Sequence, residues 1–442
     1  MFLDREAAES LVRRVIARSR AEACSVVAGG GGGCNIRLAS RGGMSNSAGG
    51  QVEVTVTSHY GKRVGSASTN AIDDAALRAA VDRSEAAARL APENPEAMPP
   101  LGAQTYPPSA AYSEATARLM AADLADLLAP AVVQVRRSGT DFALYAYAGR
   151  GWRAAATSAG ALGYDRVTRM ALTVTARNRR GTWSGWGGGN ANDVATFDAA
   201  AITRTAVEKA LAQPDPIALD PGKYVALLEP AVVGQMVAQM MGGFDARAAD
   251  EGRSFLSKAG GTRLGERAFD PRVFITSDPA SAEAPGYAVH PSGLPNNPVI
   301  WIDGGTIKTF QRGRYWAQKT NTAPVPRPGF FAMRGASDSV ADMIHDVGRG
   351  VLVTRMWYVR LVDPRTLLVT GLTRDGTFLI ENGAVTRPIV NFRFNESPLA
   401  MLANVLALGP AQRAIPSEND ETLSMPPLLV KDFTFSSISP AV

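Results

Sequence analysis

The chain opens on an amphipathic pattern. "MFLDREAAESLVRRVIARSRAEA" carries apolar residues at helical spacing, with acids early and arginines late, an order that suits the helix dipole. The spacing then changes to alternation. "GQVEVTVTSHYGKRVGSAST" is strand-like, and "NAIDDAALRAAVDRSEAAARLAP" is a helix opened by Asn and Asp and closed before Pro. The same order returns in "VTRMALTVTARNRRGTWSGWGG" and "NANDVATFDAAAITRTAVEKALAQP". Each copy centres on "TVT", at Thr55–Thr57 and Thr173–Thr175, so the pattern predicts a diverged internal repeat. The prolines of "APENPEAMPPLGAQTYPPSAAYSEATARL" predict an extended linker between the copies, followed by the helix "SEATARLMAADLADLLAP" with Ser113 as N-cap.

The pattern shifts at "AQPDPIALDPGKY". From there strands dominate: "KYVALLEP", "RVFITSD", "PVIWIDGGTIKTFQ", "GVLVTRMWYVRLVD", "LLVTGLTRDGTFLIENGAVTRPI" and "LLVKDFTFSS". "IDGGTI" and "IENGAV" carry the turn chemistry of tight hairpins. Helices are expected at Val232–Met241, "SVADMIHDV" and "SPLAMLANVLALG". The fold class is α+β. An N-terminal domain of repeated strand–turn–helix modules (residues 1–215) precedes a mainly antiparallel β domain with a few helices (residues 216–442).

Composition narrows the function classes. Of 442 residues, 45% are hydrophobic and 20% charged, an ordinary globular balance. No apolar run reaches the roughly 18 residues of a membrane span, and the N-terminal helix lacks the apolar core of a secretory signal. The only cysteines are Cys24 and Cys34, which points to a reducing cytoplasmic setting rather than a disulfide framework. A net charge of +5 over this length gives no reason to expect a nucleic-acid partner.

Motifs for local chemistry are sparse. "AGGGGGC" (Ala28–Cys34) lacks the Lys-Ser/Thr pair of a phosphate loop and reads as a flexible inter-strand loop, as does "GWGGGNAND" (Gly185–Asp193). His59, His290 and His345 are scattered, with no HExxH and no GxSxG elbow. "ARNRRGTWSGWGG" sets Arg177, Arg179 and Arg180 beside Trp183 and Trp186, and "FQRGRYW" (Phe310–Trp316) repeats the theme. Such stretches suit a single-stranded nucleic-acid face or, preferably, a protein interface.

Several segments, in order, resemble the TldD/PmbA (TldE) family. They are "GKRVGSASTNAIDDAALRAAVDRSEAAARLAPENPE", "DEGRSFLS", "GVLVTRMWYV", "GTFLIENGAVTRPIVNFRFNESPLAMLANVLALG" and "LLVKDFTFSS". The resemblance implies a two-part α+β protein. TldD-type subunits carry zinc on a helix with an HExxxH motif, plus a cysteine near the C-terminus; TldE/PmbA-type subunits lack the motif and pair with TldD. Counting back from "GRSFLS", the motif positions here are Val237, Ala238 and Gly242. The late cysteine is also missing, and "AIPSENDETLSM" offers none.

The resemblance therefore implies a non-catalytic subunit with no cofactor of its own, zinc being expected in a TldD-like catalytic partner. Together they would act on unfolded or modified peptides, and a homodimer is open when the chain is alone. Arg253, Ser254 and Phe255 of "GRSF", with Trp357, Tyr358 and Arg360, are the candidates for partner or substrate contact. Two alternatives remain: an active metallopeptidase with ligands drawn from His290, His345, Glu251 and Asp245, and a single-stranded nucleic-acid-binding module.

Overall fold

The structure is a computed structural model that describes residues 1–212, 215–416 and 420–439. Three stretches singled out above are touched by this: residues 213–214, which end "NANDVATFDAAAITRTAVEKALAQP" and fall within "AQPDPIALDPGKY", and residues 417–419 of "AIPSENDETLSM" lie outside the described residues.

The first half runs α1 (Arg5–Arg18), β1 (Ala23–Ala39), β2 (Met44–Tyr60), β3 (Arg63–Thr69), α2 (Asp74–Leu90), α3 (Glu114–Ala117), α4 (Ala121–Arg137), β4 (Asp141–Thr157), β5 (Leu162–Arg177), β6 (Ser184–Ala191) and α5 (Ala199–Ala210). Its antiparallel sheet has the order β3-β2-β1-β4-β5-β6. The repeat is larger than the TVT pattern suggested. A helix, three antiparallel strands and a second helix occur twice, and the copies meet where β1 pairs with β4. β1 starts at Ala23 and β4 at Asp141; β2 starts at Met44 and β5 at Leu162; both offsets equal that between Thr55 and Thr173. Val56 and Val174, the centres of the two TVT triplets, are both fully buried. α1 and α2 bury Leu11, Val15, Leu77 and Val81 against Val26 and Val54. α4 and α5 bury Leu128, Val135 and Ala206 against Leu144 and Leu172.

Both glycine runs are strands, not loops. Gly29–Gly33 lie in the middle of β1 and are paired on both sides, Gly32 standing opposite Gly50 of β2 and Arg150 of β4. A Cβ on Gly31 would come within 2.4 Å of the Arg150 carbonyl oxygen, and one on Gly33 within 2.4 Å of that of Ala148. Glycine here supplies room for close backbone approach rather than freedom. In β6 the close neighbour is a helix: a Cβ on Gly187 would meet the Ile202 carbonyl of α5 at 2.2 Å. The helix expected to stop at Pro130 also differs. Ser113 caps the short α3, accepting from the Thr116 amide, and the separate α4 continues through Pro130 because Ala131 and Val135 extend its buried face.

The second half contains β7 (Gly222–Leu228), α6 (Pro230–Gly242), α7 (Ala246–Asp250), β8 (Ser257–Lys258), β9 (Gly261–Thr262), β10 (Ile275–Ser277), β11 (Val299–Asp303), β12 (Thr306–Ile307), α8 (Arg314–Lys319), β13 (Phe330–Met333) and α9 (Val340–Ile344). It continues with β14 (Arg349–Asp363), β15 (Leu368–Glu381), β16 (Ala384–Pro388), β17 (Phe392–Glu396), α10 (Pro398–Ala403), β18 (Val405–Leu408), β19 (Gln412–Ala414), β20 (Thr422–Met425) and β21 (Leu428–Ile438). One sheet has the order β12-β11-β10-β13-β20-β19. The other follows β14-β7-β21-β17-β15 and closes into a barrel, because β14 also pairs with β15. Phe392, Phe394, Phe433 and Phe435 alternate along adjacent strands and stack, with Phe392 and Phe435 centroids 4.8 Å apart. Both expected hairpins form. Gly304 and Gly305, like Asn382 and Gly383, take positive φ between paired strand ends, as two-residue turns require. The stretch "SPLAMLANVLALG" splits: only Pro398–Ala403 is helical, and Val405–Leu408 pairs with β21.

The proline-rich segment before α3 is a strap between the halves. The Tyr106 hydroxyl donates to the Gly293 carbonyl (2.8 Å), the Ser109 hydroxyl to that of Gly286 (2.8 Å), and the Ala110 amide to that of Pro279 (2.9 Å). Elsewhere Ser184 of β6 donates to the Asp375 carboxylate in β15 (2.8 Å), and Arg413 of β19 donates to the Asn190 side-chain oxygen (2.8 Å). Among the described residues no helix is long and apolar enough to cross a membrane.

Candidate functional site

The helix that the resemblance singles out is α6. Pro230 occupies its first turn, where a missing amide hydrogen costs nothing. Almost every later residue is apolar and buried, and the helix lies against β14, β19 and β20. A Cβ on Gly234 would touch Leu423 at 3.1 Å and Ala414 at 3.6 Å, so the helix sits close on β19 and β20.

Val237 is fully buried and Ala238 is 5% exposed, both in the main hydrophobic cluster. Gly242 is exposed at the helix end, with nothing within 4 Å of a Cβ built on it. None of these three side chains offers a nitrogen, oxygen or sulfur donor, so the positions do not fit zinc. Among the described residues no group of three or more His, Cys, Asp and Glu side chains could hold a metal ion. At the end of the helix the nearby cation is a guanidinium. Arg327 donates to the Met241 carbonyl (3.3 Å) and pairs with the buried Glu421. A positive group at a helix C-terminus is the favourable polarity. Burial pushes the Glu421 carboxyl up from its ordinary value, against the pull of Arg327.

The four residues of the unconventional-ligand alternative have separate duties. Asp245 caps α7 by accepting from the Ala248 amide (2.8 Å). Glu251 accepts from Arg253 and Arg247, which hold its carboxyl below the ordinary range. His290 Nδ1 lies 2.8 Å from the Ser292 hydroxyl, and burial, helped by Arg153, takes its pKa down to about 4. His345 is exposed beside Asp346. The remaining histidine, His59, lies in β2 and is lowered by burial and by Arg314. Cys24 and Cys34 are buried free thiols that burial pushes up, away from the thiolate form.

"GRSF" reaches the turn that follows β14. Gly252 takes a φ of 72°, and three residues on, the Phe255 amide donates to the carbonyl of Pro364, just beyond β14 (2.9 Å). Ser254 and Phe255 face inward, 6% and 3% exposed, with Phe255 against Phe244. Arg253 is exposed and paired with Glu251. β14 carries a cluster of accessible apolar side chains. A register shift between Trp357 and Arg360, with Tyr358 at a φ of 57°, interrupts the alternation. Trp357, Tyr358, Leu361 and Val362 are 36%, 58%, 48% and 54% exposed. Arg355 lies over Trp357 (5.0 Å) and Arg360 over Tyr358 (4.3 Å). Sequence reading missed Leu361 and Val362. The available signal was the run "WYVRLV", too apolar for a strand with one wet face.

In the other Arg/Trp stretches the aromatic rings face inward, while Arg179 and Arg180 stay exposed. Trp183 is 4% exposed, donates to the Lys209 carbonyl (2.8 Å) and meets Phe378 edge-on. Trp186 is 5% exposed beneath Arg355. Arg179 donates to the Gly139 carbonyl, and Arg180 pairs with Asp215. In "FQRGRYW", Phe310 and Trp316 are buried and Arg314 donates to the Pro99 carbonyl. The tryptophans that a nucleic-acid face would use for stacking are therefore spent within the chain.

Comparison with known proteins agrees with this architecture. Residues 105–213 match the family model of the PmbA/TldA metallopeptidase central domain, and residues 221–437 match that of the C-terminal domain. No curated protein matches the sequence. The fold is similar to the crystal structure of TldE from Thermococcus kodakarensis, with a TM-score of 0.85, 16% identity, and coverage of 97% of this chain and 99% of that one. It is also similar to a putative modulator of DNA gyrase from Thermotoga maritima (TM-score 0.81, 15% identity, 97% and 100% covered). A third likeness is to a protein of the same description from Bacteroides thetaiotaomicron (TM-score 0.80, 17% identity, 99% and 100% covered). With two adjoining family models covering most of its length, the chain belongs to the TldD/PmbA family.

Proposed function

We propose that this chain is the non-catalytic, TldE-like member of a two-subunit metallopeptidase acting on unfolded or modified peptides in the cytoplasm. The observation that carries the reading is α6: Val237 and Ala238 stand at motif positions and pack into the core, and Gly242 completes the set without a donor atom. Zinc and its chemistry belong, in this reading, to a TldD-like partner with an intact HExxxH. The exposed Trp357, Tyr358, Leu361 and Val362 support a partner surface on β14, since aromatic and arginine side chains concentrate binding energy. Arg360 stacks at the same place.

The test is co-expression with a TldD-like protein that retains its motif, followed by co-purification, metal analysis and a peptide-cleavage assay. The expected result is a stable pair that cleaves, with zinc following the partner, and a chain that is metal-free and inactive alone. Stoichiometric zinc in the isolated chain, removed by a chelator together with peptidase activity, overturns the reading.

A further inference from the structure

The internal repeat gives the sheet two equivalent edges, and only one is covered. In the second copy, β6 pairs with β5 from Met170 onward, leaving 162–169 without a strand on its outer side. The strap fills that gap. The Thr168 amide donates to the Ala111 carbonyl (2.8 Å), and the Ser113 amide donates to the Thr168 hydroxyl (2.9 Å). Arg166 lies over Tyr112 (3.7 Å), and Tyr106 packs so tightly on Gly163 that a Cβ there would come within 2.5 Å of its ring.

In the first copy, β3 pairs with β2 only from Val54 onward. Residues 44–51, the counterparts of 162–169, read "MSNSAGGQ" and are all exposed. Among the described residues no segment pairs with their outer side. The edge carries no charge, proline or bulge, the devices by which natural sheets block unwanted pairing. It is held straight from behind, because β1 is itself paired to β4 along this stretch.

We propose that the open edge of β2, residues 44–51, binds an extended peptide by strand addition. The occupant follows from the repeat: on the equivalent edge lies an extended, non-helical segment. The surface is small and main-chain-rich, with Gly49, Gly50, Ala48 and short polar side chains, so it reads backbone more than sequence. A second copy of this chain is the poorer fit. Eight residues without an apolar stripe bury far less than the roughly 800 Å² per partner of a stable interface. The inference rests on the peptide-handling part of the proposed function, not on the partner subunit.

Pairing alternates along the strand, so the residue equivalent to Thr168, Gly50, and every second residue from it point their amides outward. Ala48→Pro therefore removes an outward donor and leaves the β1–β2 ladder intact. The probe is a fluorescein-labelled, unstructured ten-residue Thr/Val peptide, with a copy N-methylated at alternate residues, both titrated against the full chain by fluorescence polarisation. Expected is saturable binding that weakens by about tenfold on N-methylation and by a similar factor in Ala48→Pro. If the variant does not fold, the N-methylated peptide with the unaltered chain decides alone. Equal affinity for both peptides, or unchanged binding in a folded Ala48→Pro, overturns the proposal. So does sedimentation showing a dimer that Ala48→Pro dissolves and peptide does not displace. Edge binding without co-purification of a TldD-like partner fails the partner reading and leaves this one standing; the reverse pattern does the opposite.

Discussion

Building an HExxxH motif into α6 one position at a time separates a helix committed to packing from one that merely lacks ligands. Val237→His puts an imidazole at a site with zero exposure inside the main hydrophobic cluster. Burying its polar nitrogens without a partner costs about 1–3 kcal/mol, and crowding a packed site adds about 1–3 kcal/mol more. The expected loss is about 2–6 kcal/mol, a large share of a typical domain's stability of about 5–15 kcal/mol. Gly242→His, five residues on in the same motif, meets open space and should change stability by less than about 0.5 kcal/mol. Urea denaturation followed by tryptophan fluorescence reads both, with zinc added and omitted. A Val237→His variant as stable as the parent, a Gly242→His variant that costs as much, or a variant with His, Glu and His at 237, 238 and 242 that folds around one zinc would each show that α6 is not committed to packing.

Four further outcomes follow from the packing. The His290 imidazole, held near a pKa of about 4 against an ordinary 6.5, stays neutral in the fold while the unfolded chain takes up a proton. Stability should therefore fall as pH drops from 6.5 to 4, by about 2 kcal/mol, and His290→Asn should remove that part of the slope in urea melts at the two pH values. Gly33→Ala drives a Cβ to within 2.4 Å of the Ala148 carbonyl and should cost about 1–3 kcal/mol, whereas Gly49→Ala, with open space, should be nearly neutral by thermal melting. Asp375, 4% exposed, receives Ser184 and Arg355 (2.9 Å), and Asp375→Asn should cost about 3–5 kcal/mol in denaturant titration by removing the buried carboxylate to which both donate. Trp357→Ala should weaken capture of a TldD-like partner by at least about 2 kcal/mol in a titration, with little change in melting, because Trp357 is already 36% exposed.

Local patterns were legible where one chemistry had one structural meaning. The two hairpins follow from Asp-Gly-Gly and Glu-Asn-Gly at positions that demand positive φ. The TVT triplets follow from strict alternation, and α6 from its apolar run. The glycine runs were misread because their function is set by neighbours far along the chain. Nothing in "AGGGGGC" announces that the carbonyls of Ala148 and Arg150 will press against it. Pro130 misled for a related reason, since tertiary burial of Ala131 and Val135 outweighs one lost hydrogen bond. At the candidate site, that Val237, Ala238 and Gly242 carry no donor atom is plain from the sequence, but the inward turn of Ser254 and Phe255 is not. It depends on the Phe255 amide finding Pro364, a contact across more than a hundred residues of sequence.

The strap also bears on the order in which the molecule is assembled. It is synthesised before the second copy of the repeat, yet its anchors at Pro279, Gly286 and Gly293 emerge only after the first sheet is complete. Until then the strap is held on the β5 edge by its contacts within the first half alone, at Gly160, Gly163, Arg166 and Thr168, and a nascent or truncated chain ending near residue 212 presents a second sheet margin that is less firmly covered. The N-terminal half is thus a unit by architecture but not by solubility: expressed alone it should aggregate unless the segment 279–294 is supplied.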